Sequence, residues 1–148
     1  MAYLRPVRYL HRACKQKTDE SIRHYAERPT ITGIDFVAIP VRDLQASTSF
    51  YETVLGIRGD YRWADMGLEF QVGNVTLALM ELERFGIPFR ANSAPIALRV
   101  DDVATARARL EAAGIDFAEQ FDSGVCHQAI FHDPDGNTLI LHHRYAST

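Results

Sequence analysis

The stretch Ile34-Asp35-Phe36-Val37-Ala38-Ile39-Pro40-Val41-Arg42-Asp43-Leu44 reads as a short, largely apolar strand running into a capped helix. Asp43 stands at the N-cap. Leu44, Ser47, Phe50, Tyr51, Val54 and Leu55 then trace one helical stripe that stops at Gly56. Three strand-like runs follow, at residues 59–63, 67–72 and 75–82. Asp65 to Gly67 and Gly73-Asn74 are the turns between them, the second tight enough for a hairpin.

The same order then recurs. Pro95-Ile96-Ala97-Leu98-Arg99-Val100 is a strand, Asp101-Asp102 caps a helix whose stripe is Val103, Ala106 and Leu110, and Gly114 ends it as Gly56 ended the first. Strand patterns at 116–121, 125–132 and 137–143 complete the unit, the last two joined by the turn Asp133-Pro134-Asp135-Gly136. Val-x-Asp-Leu at 41–44 and Val-x-Asp-Val at 100–103 mark equivalent points of two βαβββ modules, about 32–88 and about 93–145. The predicted fold class is α+β, one domain over residues 31–148 preceded by an N-terminal helical extension over residues 1–30.

That extension has its own pattern. Leu4, Val7, Leu10 and Cys14 recur at helical spacing after Pro6, and Thr18 precedes Asp19, Glu20 and Ser21 as an N-cap would. It holds seven of the 16 basic side chains and three of the 19 acidic ones, so a net charge of -3 divides into a basic arm and an acidic body. An acidic body offers no electrostatic footprint for nucleic acid. The basic charges of the arm scatter around a helix, as on a solvated face or one that covers a neighbouring subunit. Its three acids argue against an organellar presequence. No apolar run approaches the roughly 20 residues of a membrane span. Cys14 and Cys126 are far apart and in no C-x-x-C pair, so no disulfide framework or structural zinc is expected, and a reducing, cytoplasmic setting is.

The opening strand with Asp43-Leu44, then Phe50-Tyr51 and Val54-Leu55-Gly56, and the closing Asp133-Pro134-Asp135-Gly136-Asn137 with its final strand, resemble the vicinal-oxygen-chelate (glyoxalase/bleomycin-resistance/dioxygenase) superfamily. The resemblance covers about residues 32–145. It implies two βαβββ modules forming a curled mixed sheet around a cavity, and a cavity often completed across a homodimer interface.

The resemblance also implies a metal bound by His or Glu at four cavity-facing strand positions, where it would stabilise developing negative charge on a substrate. In this sequence those positions hold Phe36, Ala78, Pro95 and Ile140, and none of these side chains can donate an electron pair. The expected metal and cofactor content is therefore none. Sliding the second position to Glu81 restores a carboxylate but moves it to the opposite sheet face. His127, His132, His142 and His143 lie close in sequence, yet 142 and 143 alternate across their strand, as do 127 and 132.

Strand parity assigns the cavity lining. Phe36 and Ala38 face it from the opening strand, Thr76, Ala78 and Met80 from module one's last strand, Ala97 and Arg99 from module two's first, and Thr138, Ile140 and His142 from the final strand. Trp63 and Tyr61 are candidates to stack on a ligand, or ordinary rim aromatics. The face taken by Glu69 and Gln71 stays open. The candidate ligand-binding residues are Phe36, Trp63, Ala78, Met80, Arg99, Ile140 and His142, with Arg99 as anion clamp and His142 as hydrogen-bond donor or general base.

Three functions follow as expectations. The first is a metal-free protein that sequesters a small, partly aromatic or anionic molecule, as bleomycin-type resistance proteins do. The second is an enzyme of the same fold, a lyase, isomerase or ring-cleaving catalyst, working through the catalytic candidates His142 and Arg99 or a rebuilt metal site. The third is a regulatory or structural partner protein. The expected partners are a small molecule and a second copy of the chain, with no nucleic acid and no membrane.

Overall fold

The computed structural model describes residues 31–146; the predicted helical arm of residues 1–30 lies outside the described residues. The chain forms strand β1 (Phe36–Pro40), helix α1 (Leu44–Ser49), and strands β2 (Tyr61–Trp63), β3 (Gly67–Val72) and β4 (Val75–Met80). The pattern then repeats as β5 (Ile96–Arg99), α2 (Val103–Ala112), β6 (Phe117–Asp122), β7 (Cys126–His132) and β8 (Thr138–Arg144). Each module is a four-stranded mixed sheet, ordered β1-β4-β3-β2 in the first and β5-β8-β7-β6 in the second. In both, the first strand pairs in parallel with the fourth, and the remaining pairs are antiparallel. A parallel pair needs a crossover, and the helix after each first strand begins it.

Local chemistry fixes the helix starts. The Asp43 carboxylate accepts from the amides of Gln45 and Ala46, and that of Asp102 accepts from the amide of Thr105. The helix from Leu44 does not stay α-helical: Phe50–Val54 widens into a π turn in which the Leu55 amide donates to the Phe50 carbonyl (3.1 Å). Gly56 then takes φ +70°, which closes the helix at little steric cost for a residue without Cβ. Strand β4 stops at Met80 rather than at Leu82. Glu81 leaves the strand at φ -75°, ψ 80° and starts a 3-10 turn over Leu82–Phe85.

One core serves both modules. Ile39, Leu77, Leu79, Leu68 and Phe70 from the first sheet, Phe131, Leu139 and Leu141 from the second, and Tyr51, Phe50, Val103 and Leu110 from the helices form a single buried cluster. These strand residues alternate with Phe36, Ala38, Ala78, Ile140 and His142, so each sheet has an inner face on the shared core and an outer face turned away from it. The burial of the inner face is the main driving force, at about 1.5–3 kcal/mol per large aliphatic or aromatic side chain.

A polar pin crosses the modules. Asp133, in the β7–β8 turn, accepts four hydrogen bonds: from the amides of Asp135 (3.0 Å) and Asn137 (2.8 Å), the Tyr51 hydroxyl (2.9 Å) and the Asn137 side-chain amide (2.7 Å). Asn137 also donates to the Pro40 carbonyl at 2.9 Å and accepts from the Asn92 amide at 2.8 Å. The Ser47 hydroxyl reaches Asp135 at 2.8 Å. The turn read from Asp-Pro-Asp-Gly is therefore the buried clasp of module two onto the helix of module one. No helix among the described residues is long and apolar enough to cross a membrane.

Candidate functional site

The outer face of module one is set by strand register. Rows across the sheet run Phe36–Thr76–Gln71, Ala38–Ala78–Glu69–Tyr61, and Pro40–Met80–Gly67–Trp63. Glu69 and Gln71, whose face the sequence leaves open, thus share the outer face with Ala78 and Thr76. Thr76 donates from its hydroxyl to the Gln71 side chain at 2.9 Å, which holds that edge in place.

Trp63 lies across this face. A Cβ built on Gly67 would come within 2.1 Å of the indole ring, so the glycine is what lets the ring rest on the strand. Phe85 from the 3-10 turn packs against it, with ring centroids 5.9 Å apart. The indole N–H is buried without a hydrogen-bond partner. Phe36 is 51% exposed and Tyr61 61% exposed, whereas Ala78 is closed off at 1%. Module one therefore presents an aromatic surface, with Phe36, Trp63 and Tyr61 spread over a floor of small and apolar residues.

The outer face of module two is more polar. Its rows run Arg99–His142–Gln128–Phe121, Ala97–Ile140–Ile130–Glu119, and Arg144–Cys126. Arg99 and His142 are cross-strand partners, and both line a cavity of about 470 Å³ with Val100, Asp101, His143 and Arg144. Ile140, on the same outer face, is 8% exposed. Cys126 receives bonds at sulfur from the Gln128 amide (3.1 Å) and pairs with the Ser123 hydroxyl (3.0 Å). Those two contacts, reinforced by the charge of Arg144, hold the thiol below its ordinary range.

The residues proposed from sequence fall into two groups. Phe36, Trp63, Ala78 and Met80 share the outer face of the first sheet; Arg99, Ile140 and His142 share that of the second. Because both inner faces serve one core, the two groups point away from it. The cavity containing Arg99 and His142 is built wholly from module two. A cleft of about 620 Å³ does join the modules; inner-face residues such as Val37, Leu77, Ile96 and Leu98 line it together with Pro95, Ala97 and Arg99.

The metal that the fold family implies finds no fitting donor set. Phe36, Ala78 and Ile140 stand on the outer faces and Pro95 just precedes β5, all without electron-pair donors at their side chains. Among the described residues no group of three or more His, Cys, Asp or Glu is arranged to hold a metal. The alternative donors are separated. Glu81 is engaged by the Leu44 amide (3.0 Å) and by Arg84, which secures the start of α1. His127 pairs across strands with His143 on the inner face, opposite to His142, and contacts Asp122 at 3.4 Å. The His127–His143 pairing depends on hairpin register, and sequence spacing alone carries no sign of it.

A family model for the Glyoxalase/Bleomycin resistance protein/Dioxygenase superfamily matches residues 33–141. No curated protein matches the chain. Among solved structures, a glyoxalase/bleomycin resistance protein/dioxygenase from Nocardioides superposes with a TM-score of 0.67 at 22% identity, covering 88% of this chain and 99% of that one. TnmS3, an antibiotic-binding protein from Streptomyces sp. CB03234, gives a TM-score of 0.66 at 24% identity, with 80% and 100% covered. Lactoylglutathione lyase from Agrobacterium tumefaciens gives 0.64 at 21% identity, with 76% and 94% covered.

Proposed function

The chain belongs to the Glyoxalase/Bleomycin resistance protein/Dioxygenase superfamily, and from that premise we propose that it is a metal-free binding protein for a small, partly aromatic, anionic organic molecule. The observation that carries this reading is the chemistry of the four positions at which the family places metal ligands. Phe36, Ala78, Pro95 and Ile140 turn a coordination sphere into an apolar wall, flanked by Trp63 and Tyr61 on one sheet and by Arg99 and His142 on the other. Such a lining holds an aromatic body by burial and stacking and fixes its anionic group by charge-assisted hydrogen bonds.

One chain supplies only half of each such site, because its two outer faces diverge. In the proposed assembly two copies pair so that the outer face of module one meets that of module two in the partner, which closes two equivalent cavities. The exposed Phe36, Tyr61 and Phe121 on those faces support this, since apolar side chains there gain from being covered. That an antibiotic-binding protein shares the fold is consistent with sequestration. That a lyase shares it, and that Arg99 and His142 line one cavity, supports a second reading as an enzyme in which His142 moves a proton beside an anion held by Arg99.

Trp63 is the chain's one tryptophan, so its fluorescence reports on the proposed site alone. Titration with a panel of aromatic compounds is expected to quench it saturably without consuming the ligand. Elemental analysis of protein purified without chelators, with melts in Zn²⁺, Ni²⁺, Mn²⁺ and Fe²⁺, is expected to give no stoichiometric metal and no shift. A stoichiometric metal that raises the melting point sinks the metal-free reading, and turnover abolished by His142→Ala establishes the enzyme instead.

A further inference from the structure

Positive charge gathers at the end of the module-two outer face. Arg99 is the cross-strand partner of His142, and Arg144 follows two residues along β8, so all three side chains rise from one face. Neighbouring strands lie about 4.8 Å apart and alternate residues about 6.6 Å apart. Two guanidinium side chains on such a grid are long enough to meet above the imidazole.

The cavity of about 470 Å³ at this point is lined by these three residues with Val100, Asp101 and His143, and Asp101 is its one carboxylate. Among the described residues, neither Arg99 nor Arg144 has a carboxylate within ion-pair distance. Residues 31–148 carry 16 acidic side chains and nine arginines, so two arginines on one face beside a histidine are not the by-product of a basic surface. Like charges held together raise the energy of the empty site and favour a counter-anion in it.

The donor count selects the anion: Asp101 offsets part of the guanidinium charge, but it leaves two guanidinium forks and an imidazole N–H to be satisfied. A carboxylate offers one charge and two oxygens, enough for one bidentate guanidinium fork. A tetrahedral dianion offers two charges and enough oxygens for both forks and an imidazole N–H. Resting on the binding function proposed above, we propose that Arg99, His142 and Arg144 form a subsite for a doubly charged phosphate or phosphonate group carried by the organic ligand. The aromatic surface of module one in the second copy then takes the body of that ligand.

The test is calorimetric titration of the full-length protein with phenyl phosphate, inorganic phosphate, benzoate and phenol at fixed ionic strength. Titration at about pH 7.5 keeps the phosphate largely dianionic, its second pKa being about 6. Phenyl phosphate is expected to bind at least about tenfold tighter than benzoate. Arg99→Gln and Arg144→Gln are each expected to weaken it by about ten- to a hundredfold, the value of one charge-assisted hydrogen-bonded contact. Arg58→Gln, an exposed arginine away from the cavity, is expected to change nothing.

Benzoate binding as tightly as phenyl phosphate overturns the subsite, as does phenyl phosphate affinity unmoved in Arg144→Gln with an unchanged circular dichroism spectrum. Inorganic phosphate binding as tightly as phenyl phosphate overturns the organic ligand and leaves a site for the free ion. The two proposals fail differently. If phenol and benzoate quench Trp63 while phosphate gains no advantage, only the dianion subsite falls. If no aromatic probe of any charge binds, the binding function falls with it.

Discussion

The Tyr51 hydroxyl donates to the Asp133 carboxylate at 2.9 Å across 82 residues of sequence, and this bond ties the helix of module one to the turn of module two. Both groups are buried, Tyr51 completely, so water cannot replace a lost partner. Tyr51→Phe removes one of four donors to Asp133 and is expected to destabilise the fold by about 1–3 kcal/mol. Asp133→Ala strands the Tyr51 hydroxyl, takes one of two acceptors from the Asn137 side-chain amide and frees two turn amides, so a larger loss, about 3–5 kcal/mol, is expected. Urea unfolding of the two variants measures both. Equal stability of Tyr51→Phe and the parent would show that the bond contributes nothing net.

The same contact predicts an alkaline limit to stability. Burial, and then the charge and hydrogen bond of Asp133, push the Tyr51 hydroxyl well above its ordinary value of 10.0. A group whose folded pKa is raised gives its full stabilisation below the unfolded pKa and loses it as pH rises towards the folded one. Stability is therefore expected to be level up to about pH 9 and to fall above pH 10 by up to about 1.4 kcal/mol per pH unit. Tyr51→Phe is expected to flatten that fall. Tyr145 is also raised, by its bond to Asp122, but it is 46% exposed, so Tyr145→Phe is expected to leave most of the slope. Urea melts at several pH values separate the two.

How much of this was legible in the sequence divides along physical lines. Period-two alternation assigns Ile39 and Leu139 to the core and Phe36 and Ile140 to the opposite, cavity-facing side, because one strand's parity is a local property. The caps at Asp43 and Asp102 were equally local. Register is not local: the faces of Glu69 and Gln71, and the pairing of His127 with His143, need the partner strand. The π turn at Phe50–Val54 has the apolar spacing of an α-helix and leaves no separate trace. Asp133 reads as a turn former, and only the packed structure shows its carboxylate buried under Tyr51 and Asn137. Parity also gives two outer faces without saying that both inner faces share one core.

Gly67 offers a sharper test of the aromatic surface. With Cβ placed 2.1 Å from the Trp63 ring, Gly67→Ala forces the indole off the strand. Overpacking of this kind is expected to cost about 1–3 kcal/mol. Trp63 fluorescence is expected to shift to the red as the ring meets water, and aromatic quenching to weaken with it. A variant with parental emission and melting point would place the indole elsewhere.

Glu81 is engaged as a helix anchor, and its removal distinguishes that role from a metal ligand's. Its carboxylate accepts from the Leu44 amide at 3.0 Å, beside the Asp43 cap that serves Gln45 and Ala46. Asp43→Ala is expected to lose about 1 kcal/mol, and Glu81→Ala a similar amount. The double variant is expected to lose more than the sum, because each carboxylate then leaves the first turn without its neighbour's support. Metal content is expected to be the same in all three, and a fall confined to Glu81→Ala would assign Glu81 to a metal.

The divergence of the outer faces predicts that binding and assembly fail together. Phe36 stands at the exposed edge strand β1 and is expected to be covered by a second copy. Phe36→Glu places a charge where the interface would bury it, and an unpaired charge there is strongly unfavourable. The parent is expected to sediment as a dimer and Phe36→Glu as a folded monomer with an unchanged melting transition at high dilution. Because half of each cavity then stays open, Trp63 quenching by aromatic ligands is expected to weaken by at least about tenfold, the loss of one well-buried contact surface. A monomeric parent that still binds would put the whole site on one chain, in the module-two cavity around Arg99 and His142. A dimeric Phe36→Glu variant would move the interface to another face.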